Sequence, residues 1–224
     1  MRYHALACDY DGTLATQGRV EQECLEALER LRASGRKLIL VTGREIPDLL
    51  SVFQGVSLFD RVVAENGGVL YHPETREERP LCAPPPAEFV DLLKNRGINH
   101  SVGRVIVATR EPNQFPVIQA IQDLGLELHV ILNKGAVMVL PSGINKATGL
   151  RAALDELGLS PHNVIGAGDA ENDHAFLDLC EFSVAVANAL PSLKKHANYV
   201  TRGERGAGIT ELIGVILAGD LQDH

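Results

Sequence analysis

The feature that most restricts this chain's fold is an alternation, starting at the N-terminus, between short apolar runs and longer stretches with helical spacing. Residues 3–8 form an apolar run of strand length. In residues 21–34, Cys24, Leu25, Leu28 and Leu31 fall on one helical face, with Gly35 as the stop. KLILV at 37–41 is a second run, residues 46–53 read as a short helix, and RVVA at 61–64 is a third strand. Asn66-Gly67-Gly68 is a turn that leads into a short hairpin arm at 69–71. Strands separated by helices return parallel to one another, and a parallel sheet needs helices over both faces. The expected class is α/β.

The composition then changes. Residues 72–86 are rich in Pro, Glu and Arg and end in Pro84-Pro85-Pro86, which reads as a connector leaving the first unit. Beyond it come helical spacing at 87–95, a strand at 105–109, a helix at 114–124 and strands at 127–132 and 136–140. This stretch is too small for a second large core, so it is expected to be an inserted α+β subdomain. Pro141-Ser142-Gly143 brings the chain back. A helix at 146–157, a strand at 163–167, a helix at 172–179 and a strand at 182–187 follow, then a helix at 190–196, a short strand at 199–200 and a last helix at 209–217. The first and last thirds are thus expected to share one sheet.

Two acidic segments carry the chemistry. Asp9-Tyr10-Asp11-Gly12-Thr13 follows the first strand, and open α/β sheets bind ligands beyond the carboxyl ends of their strands. Two carboxylates that close need a cation between them, or a proton on one of them. Gly168-Asp169-Ala170-Glu171-Asn172-Asp173 puts more acids after the strand at 163–167, just ahead of a helix. Mg²⁺ takes oxygen ligands, commonly one or two carboxylates completed by water and phosphate oxygens. An EF-hand is excluded because Leu14 stands where its sixth-position Gly belongs and Val20 where its twelfth-position Glu belongs. The stretch 143–148 lacks Walker A spacing. Thr42-Gly43-Arg44 closes the second strand with a hydroxyl and free N–H groups that suit a phosphate oxygen. Lys146 opens a helix against the helix dipole, which points to a local anion.

Charge narrows the partners. With 21 Lys+Arg against 29 Asp+Glu the net charge is −8, which argues against a nucleic-acid backbone as partner. A small anionic substrate stays compatible, because a metal ion and a few placed cations reverse the sign locally. No apolar run approaches the ~18 residues of a membrane span. The first residues carry no signal-peptide pattern, so a cytoplasmic location is expected. Cys8, Cys24, Cys82 and Cys180 form no CxxC pair and read as reduced, buried or half-buried thiols; the Asn99-His100-Ser101 sequon then carries no meaning.

DYDGT, VTGR, GINKATGL and GDAEND, in that order, resemble the haloacid dehalogenase superfamily of phosphatases. Residues 1–71 and 142–224 look like its Rossmann-like core, and residues 72–141 fall where the Cof-type subclass IIB places an α+β cap. Glu65-Asn66-Gly67-Gly68, Val186-Ala187-Asn188-Ala189 and Tyr199-Val200-Thr201 also resemble that subclass. The cap is short for it and is similar to that of small members such as phosphoglycolate or sucrose-phosphate phosphatases.

The resemblance implies a Mg²⁺-dependent phosphatase acting on a small phosphorylated metabolite. Asp9 is then the nucleophile that forms an aspartyl-phosphate, and Asp11 the acid and base for leaving group and water. Thr42, Gly43 and Lys146 hold the phosphoryl group, while Arg44, Asn172 and Asn188 orient substrate or loop. Asp9, the Asp11 carbonyl and Asp169 ligate Mg²⁺, with Asp173 beside it. Tyr10 replaces a more usual aliphatic residue, with no function attached. Specificity falls to the cap, whose polar candidates are Arg104, Arg110, Asn133 and Lys134. Two alternatives share these motifs: a phosphomutase of the same subclass and a regulatory phosphate-sensing module. The oligomeric state is not indicated.

Overall fold

A computed structural model describes residues 1–221. The elements run β1 (Ala5–Asp9), α1 (Gln22–Ala33), β2 (Lys37–Val41), α2 (Ile46–Val52) and β3 (Arg61–Ala64). After them come β4 (Val69–His72), β5 (Glu77–Pro80), α3 (Ala87–Asn95), β6 (Ser101–Val102), β7 (Val107–Arg110) and α4 (Gln114–Asp123). Next are β8 (Leu128–Asn133), β9 (Ala136–Pro141), α5 (Lys146–Leu157), β10 (Val164–Gly168) and α6 (His174–Leu179). The last are β11 (Phe182–Ala185), α7 (Pro191–His196), β12 (Tyr199–Val200) and α8 (Arg205–Gly219).

Eight strands form one sheet in the order β12-β11-β10-β1-β2-β3-β4-β5. The strands from β12 to β3 are parallel, and β4 and β5 add an antiparallel edge. All of β1 and β10 is buried, as strands covered on both faces must be. From β1 the chain steps out to β2 and β3, then returns to β10 and proceeds the other way to β11 and β12. Right-handed crossovers running in opposite directions place α1 and α6 on opposite faces. Accordingly α1 packs on α8, while α5 lies against β2, β3 and β4 and packs on α6, which covers β10 and β11.

The stretch 72–86 is more than the connector its composition indicated. Residues Glu77–Pro80 pair with β4 and extend the large sheet. The other strands of this region form a four-stranded antiparallel sheet, β6-β7-β9-β8. Its inner face carries Val107, Val137 and Val139, which with Phe89 and Leu93 of α3 and Val117, Ala120 and Ile121 of α4 make a separate small core. The opposite face carries Ala108, Arg110, Ala136 and Met138, as the two-residue period of a strand requires. The helix expected at 172–179 starts with a 3₁₀ turn, Glu171–Asp173, before α6. Among the described residues no helix is long and apolar enough to cross a membrane. The four cysteines are free, three of them buried and Cys82 half-buried.

Candidate active site

The reversal of strand order between β10 and β1 leaves a crevice beyond their carboxyl ends. Asp9 ends β1, and Asp169 directly follows β10. Lys146 enters from the opposite element as the first residue of α5. The Asn145 carboxamide caps that helix by accepting the N–H groups of Ala147 and Thr148, and the Thr148 hydroxyl accepts the Asn145 N–H. Gly67 allows this helix end to come close: it has φ +103°, and a Cβ there would lie 1.9 Å from the Asn145 carbonyl oxygen.

Lys146 is 2% exposed, and its Nζ donates to Asp9 Oδ1 and Asp173 Oδ1, each at 2.6 Å. The other Asp173 oxygen accepts the N–H groups of Asp169 and Ala170 at 2.8 and 2.9 Å, closing the 3₁₀ turn that aims Asp169. The Thr13 hydroxyl donates to Asp169 Oδ1 at 3.1 Å. One carboxylate oxygen each from Asp9, Asp169 and Asp173 lies within 4.8 Å of the other two. Burial, then Asp173, then Asp169 push Asp9 above the usual carboxylate range, against the pull of Lys146. For Lys146, burial acts downward, but Asp173 and Asp9 outweigh it and hold the ammonium charged. Three buried acids thus face one buried ammonium, and the site is short of positive charge.

Lys134, in the turn between β8 and β9, supplies some of it. Its Nζ donates to the Asp11 backbone carbonyl at 2.8 Å and to Asp169 Oδ2 at 2.9 Å. A cation is therefore seated on two of the three oxygens expected to hold Mg²⁺. The donor set contains oxygen alone, as Mg²⁺ requires, so Asp9, Asp169 and the Asp11 carbonyl fit that ion. Asp173 uses both its oxygens on Lys146 and on backbone N–H groups, so it shapes the site from behind. Gly12 makes the fit tight: at φ +100°, a Cβ there would lie 2.5 Å from Asp169 Oδ2.

The Asp11 carboxylate points elsewhere. Arg44 grips it through Nε at 2.6 Å and Nη2 at 2.8 Å, and holds Asp48 through Nη1 at 2.6 Å. The Arg44 guanidinium lies 5.5 Å from the centroid of Tyr10, a buried ring packed on Phe53. Tyr10 is therefore a platform under the arginine that fixes Asp11. A cavity of about 690 Å³ opens between the two sheets, lined by Asp9, Asp11, Arg44 and Lys146 from one side and Arg110 and Lys134 from the other. Gly43 and Asn172 also line it. Asn172 Nδ2 donates to Asn66 Oδ1 at 3.0 Å, while its own Oδ1 is buried without a partner among the described residues.

Two further expected residues have backbone partners. Thr42 is buried, and its hydroxyl accepts the Arg44 N–H at 3.1 Å, so it orders the 42–44 loop from beneath. Asn188 lies outside the main cavity, because both ends of its amide are taken by backbone. Nδ2 donates to the Gly12 carbonyl and Oδ1 accepts the Arg205 N–H, each at 2.8 Å. It is a strut for the 9–13 loop and lines an adjoining space with Asp11, Lys134 and Asp169. Arg104 is tied to Glu78 and takes no part in lining the cavity. Glu65 has a part that its place in Glu65-Asn66-Gly67-Gly68 does not specify. It is 1% exposed and accepts the N–H groups of Arg104, Val105 and Ile106, which join the small sheet to the large one. Its advance signals were the resemblance of Glu65-Asn66-Gly67-Gly68 to the subclass and an acid next to a turn after an apolar strand.

A family model described as haloacid dehalogenase-like hydrolase matches residues 6–105 and 98–213. The chain is 32% identical over 218 residues to a phosphoglycolate phosphatase of Methanothermobacter thermautotrophicus, covering 93% of this chain and 96% of that one. Its fold is similar to that of a haloacid dehalogenase-like hydrolase from Bacteroides thetaiotaomicron, with TM-score 0.84, 20% identity and coverage of 96% and 99% of the two chains. A sugar phosphatase described as subclass IIB superposes with TM-score 0.75 at 21% identity, over 97% of this chain and 99% of that one.

Proposed function

This chain belongs to the haloacid dehalogenase-like hydrolase family, and we propose that it is a Mg²⁺-dependent phosphatase that cleaves phosphoglycolate or a closely similar small monoester. The observation that carries this reading is the buried contact of Lys146 with Asp9, beside Asp169 and Asp173 on the neighbouring strand end. The substrate rests on the phosphoglycolate phosphatases the chain is similar to, which match nearly its whole length.

Mg²⁺ held by Asp9, Asp169 and the Asp11 carbonyl would supply the positive charge that lets a carboxylate approach a phosphate dianion. Asp9 attacks phosphorus in line, its oxygen–phosphorus bond forming as the bond to the leaving oxygen breaks. Lys146 and the N–H groups of the 42–44 loop stabilise the equatorial oxygens. Asp11 gives its proton to the leaving oxygen, then takes one from the water that attacks the aspartyl-phosphate. Asp11 must exchange its Arg44 contact for the leaving oxygen, and its half-exposed position on the cavity allows this. Of residues 72–141, read as a cap, the part that forms the small sheet with α3 and α4 covers the cavity and excludes bulk water. A phosphate-release screen over small phosphomonoesters, with Mg²⁺ and with EDTA, tests this. Release confined to Mg²⁺ and strongest for phosphoglycolate is expected, and inactivity on every ester in Mg²⁺ would overturn it.

A further inference from the structure

Four cations line the main cavity: Arg44, Arg110, Lys134 and Lys146. Three are already engaged, Arg44 with Asp11 and Asp48, Lys134 with Asp169 and the Asp11 carbonyl, and Lys146 with Asp9 and Asp173. Arg110 differs. Among the described residues its guanidinium forms no ion pair and no hydrogen bond, although it lies over a cavity rich in acids. The acids on that wall are taken: Arg44 holds Asp48, and Ser101 Oγ donates to Glu45 Oε1 at 2.9 Å.

Its placement follows from strand geometry. On β7, Val107 and Thr109 turn into the small core, which sends Ala108 and Arg110 to the cavity face. Arg110 is paired in register with Ala136 of β9, so the residues beside it on that face are two alanines. Small neighbours leave the guanidinium free to extend over the cavity. Arg110 also borders an adjoining space of about 550 Å³ and so stands at the junction of the two. Asn133, the last residue of β8, lines the main cavity with a buried Oδ1 that has no partner among the described residues, on the same small sheet as Arg110.

An unpaired guanidinium is a planar fork that matches a carboxylate through two parallel N–H···O bonds. With the phosphoryl end anchored at Asp9 and Lys146, a short substrate presents its other end to the small sheet. We propose that Arg110 is the specificity-determining residue of this site, and that it selects phosphomonoesters bearing a carboxylate on the alcohol side. The inference rests on the phosphatase reading above and names the group that reads the substrate.

The test compares phosphoglycolate with ethyl phosphate, which has a methyl group in place of the carboxylate, for wild type, Arg110→Gln and Arg110→Lys in Mg²⁺. Wild type is expected to prefer phosphoglycolate. In Arg110→Gln the ratio of the two kcat/KM values should fall about 10- to 100-fold, with the loss on phosphoglycolate carried by KM. Arg110→Lys should recover part of the ratio, since it keeps the charge and loses the fork. An unchanged ratio in Arg110→Gln, an equal loss on both esters, or a wild type that hydrolyses both without preference would each overturn the inference and leave the phosphatase reading standing. Inactivity of wild type on both esters would overturn this inference, and inactivity on every ester of the wider screen would refute the phosphatase reading as well.

Discussion

Asp9 owes its place to a strand buried on both faces, and burial and the neighbouring acids work against its charge. Lys146 on one side and two further acids on the other leave it in a site that needs a cation. Replacing Asp9 with Asn keeps the shape and removes the nucleophile, so kcat for phosphate release should fall by at least about 1000-fold with the thermal midpoint retained. Residual turnover near wild type would show that another group attacks phosphorus. Lys134 offers a separate test. Its ammonium and a divalent cation compete for Asp169 and the Asp11 carbonyl. Lys134→Met should therefore tighten Mg²⁺ binding by about 3- to 10-fold in a calorimetric titration. Unchanged or weaker binding would mean that the two cations do not share those oxygens.

At the scale of elements, two acids join pieces that are distant along the chain. Glu65 accepts three backbone N–H groups from the segment entering β7. Glu65→Ala strands those donors in a buried place, so a urea titration should show a loss of roughly 3 kcal/mol. A loss below about 1 kcal/mol would show that water satisfies them instead. Glu156 of α5 binds Arg61 of β3, Arg79 of β5 and His72 of β4, fastening the helix to the antiparallel edge. Burial opposes its ionisation, but Arg61 and Arg79 prevail, and its carboxyl sits below the usual range. A depressed carboxyl pKa gives stability that is present above the unfolded value, about 4.3, and lost as pH falls through the folded one. Glu156→Gln should cost up to about 1 kcal/mol at pH 7, given the exposure of these partners, and nothing near pH 2. A cost that persists at pH 2 would contradict this account. These elements also mark how far the sequence could be read. Strands buried on both faces, such as KLILV, announce themselves as apolar runs. β5, with the sequence EERP, does not, because an exposed edge strand needs only backbone pairing and keeps its polar side chains in water.

Across the whole molecule, two sheets with separate cores meet over one cavity, and that meeting was the least legible part. The acids at strand ends could be read in advance, since α/β topology dictates where strand ends gather. Which polar residue of the small sheet faces them could not. The direction of Arg110 depends on the register of β7 against β9, and the reach of Lys134 on how the β8–β9 turn meets the large sheet. Asn188 was expected to orient substrate or loop, and which of the two it does rests on partners, Gly12 and Arg205, that the sequence does not place beside it. The account as a whole requires the phosphoryl group to pass through Asp9 before it reaches water. The stereochemical course at phosphorus tests this most directly, using a substrate made chiral at phosphorus with oxygen isotopes. Two successive in-line displacements predict overall retention of configuration, and inversion would show that water attacks the substrate in a single step.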